Sequence, residues 1–131
     1  MTSIPVGAIT GLVMSVTTSY LITGRLFHRY QAKTPGTWRA ETWRQHLLAM
    51  LFYAIAGASI GWLFTLSGTS SVDGALFKLW AAVWILVAAC IVMQALYVNW
   101  HPAFVLGLAV DWAVFVAGVL FACALSVNRA G

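Results

Sequence analysis

The chain has 131 residues, of which 62% are hydrophobic and 8% charged, whereas a typical soluble domain carries about 25% charge. That composition cannot cover a water-facing surface, so the sequence predicts an integral membrane protein. Its formal charge of +4 comes mostly from Arg25, Arg29, Lys33, Arg39 and Arg44. These residues lie beside apolar runs, where anionic lipid headgroups are the nearest partner, so no nucleic-acid partner is expected.

Each crossing of a bilayer takes about 20 apolar residues. Four runs of that length fill the chain, over 4–27, 46–66, 75–97 and 103–127. The fold class predicted is therefore all-α: a four-helix transmembrane bundle, one domain over 1–131, with short loops. Turn-forming residues separate the runs: Thr34-Pro35-Gly36, then Ser67 to Ser71, then Asn99 to Pro102. Alternation at barrel-strand length is absent.

The first run is preceded by no positive charge and exceeds the ~7–15 residues of a signal-peptide core, so it is expected to stay as a helix. The basic stretch after it resists translocation and predicts a cytoplasmic loop between helices 1 and 2, with both termini outside. A bacterial-type cell inner membrane, crossed several times, is the expected location. Within that loop, the segment 37–46 lacks helix breakers, and the second helix is expected to start there, with Trp38 and Trp43 at headgroup depth. Trp62, Trp80 and Trp100 lie near run ends and read as interfacial anchors in the same way. Trp112 is too deep for that role.

Two polar groupings are candidates for function. Asp111 lies ten residues beyond His101 in the fourth run, which places it about 15 Å deep, near the bilayer midplane. Ionisable groups at that depth face protein or a water-filled cavity and often mark ligand or proton pathways. The expected ligand- or proton-binding set is Asp111 with Ser15 and Thr18. Thr17 and Gly57 are expected as further neighbours, and Gly107, Gly118 and Ala122 as a small-residue face admitting another helix backbone. A structural alternative is a neutral carboxyl joining helices by hydrogen bonds.

The second grouping is a polar mouth on the cytoplasmic side, formed by Arg25, His28, Arg29, His46 and His101. It suits a phosphate-bearing headgroup. Imidazoles also admit haem or a metal, but no cysteine or paired-histidine motif accompanies them, so no cofactor is expected. Cys90 and Cys123 are placed too far apart in depth to form a disulfide.

The Gly7/Gly11, Gly57/Gly61 and Ala109/Ala113/Ala117 stripes are close-packing surfaces, mostly consumed within the bundle. A homo-oligomer or a larger membrane complex stays open as a partner. No nucleophile-and-base motif, phosphate loop or paired carboxylate occurs, which makes an enzyme the minority expectation. The leading function is a small transport or ligand-binding bundle centred on Asp111. The alternatives are an accessory subunit of a membrane complex and a haem- or quinone-binding redox protein using the histidines.

Overall fold

The computed structural model describes residues 2–31, 33, 42–69, 72–98 and 100–130. Helix α1 (Ser3–Met14) continues without a break into a π-helical segment (Ser15–Leu26), and the two make one span, Ser3–Leu26. After a bend at Phe27 comes the single turn α2 (His28–Gln31). Three long helices follow: α3 (Trp43–Leu66), α4 (Gly74–Tyr97) and α5 (Pro102–Ala130). Four helices are thus long and apolar enough to cross a membrane. The protein is a small multi-pass four-helix membrane bundle, and the described residues contain no strand.

Thr2 gives α1 no side-chain cap, whereas the three later long helices start where the sequence supplies a partner for free N–H groups. Thr42 caps α3 through a reciprocal box with Gln45, with Gln45 N donating to Thr42 Oγ1 (3.4 Å) and Thr42 N to Gln45 Oε1 (2.8 Å). Thr42 itself is extended. The helix therefore begins at Trp43, later than expected. Residues 37–41, including Trp38, Arg39 and Glu41, lie outside those described. Asp73 caps α4, accepting from Ala75 N and Leu76 N at 2.9 and 3.2 Å. Pro102 opens α5 at the position where its missing N–H costs nothing. His101 Nδ1 accepts from Ala103 N at 3.2 Å.

The π segment has a local cause. The hydroxyls of Ser15, Thr17 and Thr18 donate back to the carbonyls of Leu12, Val13 and Met14. Hydroxyls that occupy these carbonyls compete with the α-helical N–H groups, and a cluster of three loosens the ladder. The ladder continues with the wider spacing through Phe27 N to Ile22 O at 3.2 Å. π-Helix is ordinarily confined to single turns at functional sites. Here it covers half a span.

Packing is uneven along the membrane normal. Helices α1 and α3 meet backbone to backbone: a Cβ on Gly7 would strike the Gly57 carbonyl, one on Gly11 the Tyr53 carbonyl, and one on Gly61 the Ser3 carbonyl. The two small-residue stripes are consumed inside the bundle, as expected. Gly57 is therefore occupied by α1 and is not a neighbour of Asp111 as expected. Ile60, Phe64, Leu76, Phe115, Val116, Val119, Leu120, Cys123 and Ala124 form the core, all toward the end away from the basic stretch. Toward the basic end, α3 touches the π segment only slightly.

Helix α5 lies at the centre and contacts α1, α3 and α4, whereas α4 packs chiefly on α5. The stacked indoles of Trp80 and Trp84 donate to the Ala113 and Ala109 carbonyls at 2.9 and 3.0 Å. Trp80 is thus a helix-to-helix donor, not the interfacial anchor expected from its position. Many large apolar side chains, among them Ile9, Leu47, Phe52, Ile85, Leu86 and Leu106, remain exposed on the outer faces. Such a surface suits hydrocarbon rather than water.

Candidate functional site

Three elements converge on a crevice of about 580 Å³ between the π segment, α3 and α5. Its walls carry Ser15, Ser19 and Thr23 from the first, His46 and Tyr53 from the second, and Asp111 from the third. The crevice exists because α1 and α3 are pinned together by glycines at one end and diverge at the other. Its volume lies within the ~300–1,000 Å³ typical of small-molecule sites.

Asp111 is 1% exposed. Its Oδ2 accepts from Thr23 Oγ1 at 3.1 Å. Oδ1 is buried with no hydrogen-bond partner among the described residues. A buried polar oxygen left in this way costs stability, and in native proteins it calls for a functional or structural reason. Side chains lock the position from both directions along α5. Gly107 sits under the Phe27 ring and Gly118 under Met14. The small residues flanking Asp111 therefore receive side chains, Met14 of the first span and Phe27 at the bend after it, not a neighbouring backbone as the spacing suggested.

The other polar groups have defined partners. Ser15 is buried and gives its hydroxyl to Leu12 O at 2.7 Å; Thr18 is buried beside Asp111 and gives its own to Met14 O at 2.8 Å. Both expected residues are therefore at the site, with their hydroxyl protons held by their own helix. Thr17 is exposed and bonds only within the first span, so it is not the neighbour expected. Ser19 donates to the Tyr53 hydroxyl at 3.0 Å. Tyr53 stacks on Trp112 with centroids 5.4 Å apart and packs against Phe115 at 5.1 Å. The three rings form an aromatic floor beside the acid.

Thr23, Ser19 and Tyr53 are the residues missed by sequence reasoning. The available signal was the hydroxyl-rich run Ser15 to Thr23, in which positions 15, 19 and 23 recur every four residues and share one helix face. The structure puts all three on one wall of the crevice.

The expected polar mouth is divided. His46 lines the open end of the crevice, whereas Arg25, Arg29 and His101 do not. Arg25 is exposed and folds back on Tyr20, donating to its hydroxyl at 3.3 Å. Arg29 donates to the Tyr30 hydroxyl at 3.0 Å. Its guanidinium and the Lys33 ammonium lie 4.8 and 5.2 Å from the Tyr30 ring centroid, and that ring stacks on His101 at 5.0 Å. The His28 side chain lies outside what is described. No group of three metal-ligating side chains occurs among the described residues. Both cysteines are free thiols, Cys90 exposed and Cys123 buried with its thiol 3.5 Å from Ser3 O.

What the fold and the site define is thus a class: a multi-pass helical membrane protein with a deep acid in a crevice between the first span, α3 and α5. Comparison with protein-family models, curated proteins and solved structures gives no match for this chain.

Proposed function

We propose that this bundle binds a small cation, a proton included, at Asp111, in the crevice at the basic half of the molecule. The observation carrying this reading is the buried Oδ1 of Asp111, unpartnered at the base of a crevice walled by hydroxyl oxygens. An isolated carboxylate at that depth is too costly to persist, so it is neutralised by a proton or a bound cation. Thr23 holds one oxygen in place and leaves the other for the ligand. The Tyr53–Trp112 pair supplies aromatic faces nearby, which favour cations.

The basic end is taken as cytoplasmic by the positive-inside rule, in an inner membrane. Arg29 and Lys33 over Tyr30 then sit where lipid phosphates lie and would dock them. In this conformation the crevice ends at the glycine-sealed half, so the site is closed toward the side away from the cytoplasm. Transport would require that seal to part. Asp111→Asn keeps shape and removes the charge. In proteoliposomes it is expected to abolish the proton release or uptake that accompanies cation binding, followed with a pH-sensitive dye. Unchanged proton exchange in a folded variant would refute the role of Asp111.

A second reading, an accessory subunit of a larger membrane complex, is favoured by α4, which rests chiefly on α5 and leaves most of its surface open. Native mass spectrometry from mild detergent would give a defined oligomer or complex under that reading. The redox alternative has less support, because His101 is engaged at the start of α5 and does not share the crevice with His46.

A further inference from the structure

We infer that the cation is amphiphilic: a hydrophobic amine or similar lipophilic ammonium that enters sideways from the bilayer. This inference rests on the cation-binding reading of Asp111 and specifies its substrate class. Val16 and Tyr20 on the π segment and Met50 on α3 line the crevice. They are also open on the outside of the bundle, at 58%, 58% and 38% exposure.

Depth fixes what that outside is. Val16 lies ten residues inside Leu26, the end of the first span, and Asp111 lies nine residues inside Pro102, the start of α5. At ~1.5 Å per α-helical residue Asp111 is about 14 Å in, near the middle of the hydrocarbon, and Val16, in the more slowly rising π segment, is shallower but still within it. The gap between the π segment and α3 is therefore a side door onto lipid tails.

The wall chemistry divides along the same line. Thr23, Ser19, Tyr53 and Asp111 place acceptor oxygens on the inner wall. Val16, Met50, Phe104 and Leu108 line the remainder with apolar surface. A hydrated metal ion would find no use for that apolar half. An alkylammonium uses both parts, with its N–H groups on Asp111 Oδ1 and its chain leading out past Val16 and Met50.

The aqueous end is less inviting to a cation, because the exposed Arg25 guanidinium folds over Tyr20 beside it. A charged head arriving by water meets that positive charge first. One arriving between Val16 and Met50 enters deeper than Tyr20 and passes below it.

The test is titration calorimetry on protein in lipid nanodiscs, using octylammonium and methylammonium chloride as probes. Wild type, Asp111→Asn and Val16→Trp are compared, with protein-free discs subtracted. Referred to free aqueous amine, octylammonium is expected to bind saturably and at least about a hundredfold more tightly than methylammonium. Asp111→Asn is expected to abolish saturable binding. Val16→Trp, which fills the side door, is expected to weaken octylammonium about tenfold. If Val16→Trp does not fold, as judged by circular dichroism, Met50→Trp obstructs the same door.

Equal affinity for the two amines, both lost in Asp111→Asn, would overturn the amphiphile and leave the cation site standing. Tight octylammonium binding indifferent to both door variants would overturn lateral entry. No saturable binding in wild type, or binding unaffected by Asp111→Asn, would overturn the site itself.

Discussion

Asp111 and Thr23 come from sequence positions 88 apart, and a single hydrogen bond of 3.1 Å fixes their relation. Between membrane helices such bonds are worth about 0.6 kcal/mol on average and up to about 1.7. A double-mutant cycle of Thr23→Val with Asp111→Ala, read by reversible unfolding in mixed micelles, is expected to give a coupling of that size. Ser15→Ala is expected to couple far less, because its hydroxyl is spent on Leu12 O. That contrast separates residues that merely lie at the site from the one that holds the acid. It also marks the limit of sequence reading at this scale. The depth of Asp111 follows from counting residues, whereas its partner depends on the register of the facing helix.

The elements that matter most are the π segment and the glycine seam, and they act in opposite senses. The seam brings α1 and α3 to backbone contact; along the π segment α3 falls away and the hydroxyls of Ser15, Ser19 and Thr23 line the space left. Gly57 lies at the centre of the seam, where an added methyl meets the Gly7 carbonyl. Gly57→Ala is expected to cost about 1–3 kcal/mol, the usual range for overpacking, as a lowered unfolding free energy in mixed micelles. Gly74→Ala, at a position with open space around it, is expected to cost far less. The seam was visible as two Gly-x-x-x-Gly motifs. The π segment was not, because α and π turns suit the same apolar residues and only the back-bonding hydroxyls at Ser15, Thr17 and Thr18 tip the balance.

At the scale of the whole molecule, the bundle is closed at one end and split at the other, and the split end carries the basic residues. Proposed topology follows from the second fact alone. With Cys90 and Cys123 replaced by Ala, Lys33→Cys is expected to resist a membrane-impermeant maleimide in intact cells and react after lysis. Thr69→Cys is expected to react in intact cells. The reverse pattern would invert the bundle and move the crevice to the opposite leaflet. The off-centre place of α4 also belongs to this scale, since its length is apolar on most faces and only the indoles of Trp80 and Trp84 mark the side that meets α5.

The sequence by itself determined the solvent, the number of crossings and their ends to within a few residues. Those follow from hydropathy and length, which a bilayer reads one segment at a time. It also determined that Asp111 faces inward, because burying a lone acid in lipid is prohibitive. The fold in three dimensions adds that Thr23 meets this acid, that Tyr53 and Ser19 complete the wall, and that Val16 and Met50 line the crevice while exposed on the outside. Those outcomes depend on how helices rotate and splay against one another. In an environment where every face is apolar, rotation is set by a few glycines, hydroxyls and indoles meeting across helices, and such meetings are not written in any one segment.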